Sequence, residues 1–74
     1  MPMKITHEEA RMMALRYMSR HRLTQIQFAE KIGESRKYLN MMLRGKRSPK
    51  PIAKYFGYEV PRYFVRIKIE GNEP

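Results

Sequence analysis

Between Ser35 and Lys54 the chain concentrates groups that can grip an anion and read hydrogen bonds. From Arg36 to Lys54 there are seven Lys or Arg residues and no acid. Leu39, Met42 and Leu43 recur at helical spacing and claim the inner face of a helix. Arg36, Lys37, Asn40, Met41 and Arg44 are then left on the outside, with Ser35 at the helix start. A guanidinium can make paired hydrogen bonds to the edge of guanine, and a carboxamide can do the same with adenine. The apolar chain of Met41 suits contact with a thymine methyl. Ser35, Arg36, Lys37, Asn40 and Met41 are therefore candidate base readers. The bland alternative for them is an ordinary solvated helix face.

Other chemistries find little support. The 74 residues include no Cys and no Asp, and the Glu residues are scattered. No Gly-rich loop precedes a helix, so neither nucleophilic catalysis nor a nucleotide cradle is expected. His7 and His21 fall at opposite ends of one helix, which does not make a metal site. We expect no enzyme activity, no cofactor, no metal and no small-molecule effector. Tyr55, Phe56, Tyr58, Tyr63 and Phe64 can stack on single-stranded bases, but burial in a thin core is the simpler use. The same holds for Met12, Met13, Met18 and Met42, which suit a flexible core filling.

Charge narrows the partner. Sixteen Lys and Arg against seven Asp and Glu give a formal net charge of +9. Self-repulsion of this size disfavours a compact monomer and favours an anionic partner. Apolar residues make up 42% of the chain, enough for a folded domain. The length fits one domain spanning residues 1–74, and such a chain buries only about 60% of its unfolded surface. Lack of Cys fits a reducing cytoplasm. There is no apolar run to span a membrane, and the first residues do not read as a signal peptide.

The elements that must position the basic run can be read from caps and periods. Thr6-His7-Glu8-Glu9 forms a capping box before a helix from about His7 to His21. Ala10, Met13, Ala14, Tyr17 and Met18 mark its buried face. Thr24 caps a second helix with Phe28, Ala29 and Ile32 inward, and Gly33 stops it. Ser35 caps the third helix, which Gly45 closes. Pro51 opens a short fourth helix to Phe56, with Gly57 as its stop. From Arg62 to Glu70 the period changes to two, with Tyr63, Val65, Ile67 and Ile69 on one side, as in a half-buried strand. A lone strand leaves its ladder unsatisfied. It needs either the extended Met3–Thr6 lead or its own copy in a second subunit. Gly71–Pro74 reads as a tail.

Two short helices joined only by Gly33-Glu34-Ser35, over 25–44, make a helix-turn-helix, whose second helix enters the major groove. The anchors Leu23-Thr24-Gln25, Phe28-Ala29, Ile32-Gly33, Ser35-Arg36 and Leu43-Arg44-Gly45-Lys46-Arg47-Ser48-Pro49 resemble the lambda repressor/Cro-like, XRE-type DNA-binding domain over about residues 10–57. The ending around Phe56-Gly57-Tyr58-Glu59-Val60 is similar to small regulators of phages and prophages. The resemblance implies that Gln25 binds a phosphate and braces residue 36. It also implies that Arg44, Lys46, Arg47 and Lys50 bind backbone phosphates. The sequence departs from the family at Glu34, where an apolar residue is usual, and Glu34 can pair with Lys37 or another basic neighbour. Tyr38 is bulky for its place.

The expected fold is mainly α: four to five short helices with a helix-turn-helix, plus a C-terminal β-strand at about 60–70. The expected function is sequence-specific binding of double-stranded DNA by a cytoplasmic, nucleoid-associated bacterial or phage regulator. The expected form is a repressor acting as a homodimer through Tyr63, Val65, Ile67 and Ile69. A DNA-binding antitoxin and a non-specific or RNA-binding basic protein stay open beside it.

Overall fold

The computed structural model describes residues 3–64 of the chain. Its elements in order are β1 (Met3–Lys4), α1 (His7–His21), α2 (Gln25–Ile32), α3 (Arg36–Leu43), α4 (Lys50–Tyr55) and β2 (Tyr58–Glu59). Local chemistry fixes the helix starts. The Thr6 hydroxyl accepts from the Glu9 N–H at 3.0 Å, and Glu9 Oε1 accepts from the Thr6 N–H at 2.8 Å. Thr24 and Gln27 repeat this reciprocal pair at 3.1 and 2.8 Å, so α2 also begins with a full box. Ser35 accepts from the Tyr38 N–H at 3.1 Å, but the Tyr38 side chain has no carboxylate or carboxamide oxygen to accept in return, and α3 has half a box.

The main core lies where α1, α2, α3 and α4 meet. Ala14, Met18, Phe28, Ala29, Leu39, Met42 and Ile52 are buried there. Tyr17, Leu23, Ile32, Tyr38, Leu43 and Phe56 pack around them. Ala10 and Ala53, both fully buried, belong to a second cluster with Val60, flanked by Ile5 and Tyr58. Their small side chains let α1 and α4 approach, and the strands close over that crossing. On α1 the buried stripe is Ala10, Ala14 and Met18. Met12 was expected in the core but is 45% exposed, because it lies about 200° around the helix from Ala10. Tyr63 was expected to be buried and is 80% exposed. Tyr55 is also exposed, although its ring packs on Tyr17, Phe28 and Phe56.

The strand pairing differs in position from the alternating run. β1 pairs parallel with β2, Met3 opposite Tyr58 and Lys4 opposite Glu59, and the Ile5 N–H extends the contact to the Glu59 carbonyl at 2.7 Å. Gly57, at φ +84°, turns the chain out of α4 directly into β2. Pro61 has no N–H to donate, so the ladder stops there. Val60 and residues 61–64 form no strand. The remainder of the expected strand, including Val65, Ile67 and Ile69, and the tail at 71–74 lie outside the described residues. The segment after Pro61 is tied back to α1: His7 Nε2–H donates to the Pro61 carbonyl at 3.1 Å. The His7 ring also stands edge-on to Phe64, with centroids 5.0 Å apart.

Candidate nucleic-acid interface

The hinge between α2 and α3 is made by backbone geometry. Gly33 takes φ +76°, and the next amide, of Glu34, donates back to the Ala29 carbonyl at 2.9 Å. That left-handed residue reverses the chain within three residues. Phe28, Ala29, Leu39 and Met42 then lock the two helices onto the core. What α3 presents outward follows. Ser35, Arg36 and Lys37 are exposed, and Asn40 and Met41 are half-buried. Arg44, Arg47 and Lys50 are exposed, while Lys46 and Gln25 are half-buried.

The most specific contact joins the two helices. Asn40 Nδ2 donates to Gln25 Oε1 at 3.3 Å. The resemblance implied that Gln25 braces residue 36; it braces Asn40 instead, one turn further along α3. The bond uses one of two Asn40 amide hydrogens. The second hydrogen and Oδ1 are still available, and they are the pair that adenine needs. Gln25 keeps its own NH2 group as a donor.

The remaining candidates fall into separate groups. Ser35, Lys37 and Met41 come together with Tyr38 and Arg47 around a shallow cleft of about 310 Å³. Met41 and Arg47 also line the adjoining cleft with Lys46 and Phe64. Arg36 lines neither, since successive helical residues point about 100° apart. The Ser35 hydroxyl oxygen is occupied as a cap, but its O–H hydrogen can still donate. Glu34 shares a cleft with Lys31, Lys50 and Lys54, whereas Lys37 lies in the first cleft. Tyr38, read as bulky for its place, packs against the core and walls both clefts beside α3.

Sequence reasoning counted Lys54 in the basic run and read Phe64 as a core aromatic, but assigned no site role to them or to Lys4 and Arg62, which line clefts near this surface. Lys54 was findable, because it is four residues from Lys50 on one helix. The others arrive only through tertiary pairing. The Tyr55 phenol is raised above its ordinary value, chiefly by the neighbouring Tyr17 and by desolvation, with Lys31 opposing. Among the described residues, no group of three or more His, Cys, Asp or Glu lies close enough to hold a metal. No helix among them is long and apolar enough to cross a membrane.

A family model described as Helix-turn-helix matches residues 17–53. The chain belongs to the helix-turn-helix family. The match runs from the second half of α1 into α4, so it encloses every candidate DNA-contacting residue from Gln25 to Lys50. It leaves β1, the start of α1 and β2 outside. The helix-turn-helix protein is thus a DNA-binding transcription regulator of the XRE type, with a lambda repressor/Cro-like domain. Domains of this family bind double-stranded DNA, and the family is regulatory rather than enzymatic. No curated protein and no solved structure matches the chain.

Proposed function

We propose that the protein is a Cro-like repressor of phage or prophage origin that binds a palindromic operator as a homodimer. The observation that carries the base-reading part is the outward face of α3, with the Asn40 amide held by Gln25. In this reading the net charge of +9 steers the protein to the duplex. α3 enters the major groove, where Ser35, Arg36, Lys37, Asn40 and Met41 meet base edges. Gln25, Arg44, Lys46, Arg47 and Lys50 hold phosphates and set the register. Occupancy of the operator blocks polymerase, in the cytoplasm at the nucleoid.

Dimerisation is supported by two features. Tyr63 is an exposed aromatic. It also begins the alternating apolar series Tyr63, Val65, Ile67, Ile69 in the sequence. Two such segments pairing about a two-fold axis bring the two copies of α3 to adjacent major grooves, about 34 Å apart. No ligand-binding effector function is proposed.

Selection from a random duplex pool at physiological salt, followed by sequencing, tests this. Enrichment of a palindrome with half-sites about one helical turn apart is expected. Enrichment of a single half-site removes the dimer and keeps the reader. Binding without enrichment, lost steeply in salt, removes sequence-specific repression.

A further inference from the structure

Three cations outside the matched motif gather around Lys50 at its edge. Lys50 and Lys54 lie four apart on α4, so their side chains leave one face of the helix. Lys4 is brought there by the parallel pairing of β1 with β2, and Arg62 follows β2 past Pro61. All four line one cleft of about 570 Å³, in which Glu59 is the one acidic residue among the described residues. The four cations are all exposed. Holding four like charges around a concavity costs self-repulsion that an anion relieves.

The form of the cleft selects the anion. Its charged groups are long, exposed side chains on three separate segments of the chain, suited to successive charges along a backbone. Lys50 also belongs to the phosphate-binding set proposed above and directly follows the basic loop at 46–49, so the cleft continues that surface. Lys4, Lys54 and Arg62 all fall outside residues 17–53, which the family model matches.

We propose that this cleft binds the phosphodiester backbone of the same DNA duplex, flanking the half-site read by α3. The inference rests on the proposed operator binding. Lys4, Lys54 and Arg62 extend the footprint without reading bases, and Lys50 joins the two regions.

The test uses the duplex enriched from the random pool, trimmed to about 18 bp around its paired half-sites and also extended by unrelated sequence to about 38 bp. Affinity is measured by fluorescence anisotropy across a salt series. The wild-type chain should show a steeper salt dependence on the long duplex, by about 2–3 in log–log slope per protomer. The variant carrying Lys4→Ala, Lys54→Ala and Arg62→Ala should lose that extra slope and bind the long duplex at least tenfold more weakly. Its affinity for the short duplex should stay within twofold of wild type. Lys54→Arg should keep the wild-type slope. Equal wild-type slopes on both duplexes, or a triple variant that keeps the extra slope, would overturn the flanking contact while leaving operator binding intact. A wild-type chain that does not prefer the short selected duplex over scrambled sequence would overturn operator binding itself, and the inference with it.

Discussion

A carboxamide reads adenine only when its plane is held, since either end can otherwise rotate toward the base. In the proposed reading of adenine by Asn40, Gln25 supplies that hold through the 3.3 Å bond between α2 and α3. Losing either side chain should therefore weaken the same base contact. In a double-mutant cycle, Gln25→Ala and Asn40→Ala should couple by about 0.5–1.5 kcal/mol in operator binding. Additive losses would mean that the bond orders the helices but not the reader. Arg36 and Lys46 separate two other roles. Arg36→Ala should cost about 1–3 kcal/mol and relax specificity at one base pair, whereas Lys46→Ala should weaken all sequences alike and lower the salt slope by about 1. Titration of each variant against the operator and a scrambled duplex distinguishes them. An Arg36 loss equal on both duplexes assigns that residue to phosphate.

At the scale of elements, the reader depends on a turn and two caps. Gly33 has φ +76°, and a β-carbon added there meets nothing within 4 Å. Gly33→Ala therefore tests backbone strain without a clash, and should lower stability by about 1 kcal/mol once the unfolded-state freedom that alanine removes is subtracted. Arg22 takes the same left-handed region at φ 55° at the end of α1. There the opposite change, Arg22→Gly, should stabilise by about 0.5–1 kcal/mol, the remainder being lost to glycine's greater unfolded-state freedom. Thermal unfolding of the two variants gives the signs, and a Gly33→Ala protein as stable as wild type would remove strain as the reason for this glycine. These caps and turns were legible in the sequence because each depends on neighbours within four residues. Thr6 with Glu9 fixed the start of α1, and Gly33 with Ser35 fixed the turn. The pairing at Tyr58–Glu59 was not legible: two residues on each strand set up no period, and their partners lie more than fifty residues away. The alternation from Arg62 placed the strand beyond Pro61; residues 62–64 form none, and the rest of that run lies outside the described residues. The bond from Asn40 to Gln25 was likewise hidden, because outward-facing positions on one helix do not say which neighbour reaches them.

At the scale of the molecule, charge and assembly act together. A formal charge of +9 opposes association of two copies, so a dimer needs an apolar contact strong enough to offset repulsion, or DNA to neutralise it. The series Tyr63, Val65, Ile67 and Ile69 is the apolar candidate, but Arg62, Arg66 and Lys68 alternate with it in the sequence. Self-association should therefore strengthen with salt, which screens the cations, while DNA binding weakens with salt. Sedimentation equilibrium at low and high ionic strength checks the first, and titration of the selected palindrome across a salt series checks the second, with two copies per site expected. Val65→Arg adds a cation to the apolar series. It should leave the helical circular dichroism signal unchanged, abolish self-association, and reduce occupancy of the palindrome to independent half-sites. A Val65→Arg protein that still binds as two cooperative copies would move the interface elsewhere. A wild-type protein that binds each palindrome half independently would leave α3 as a monomeric reader, and repression would then depend on occupancy of one half-site at a time.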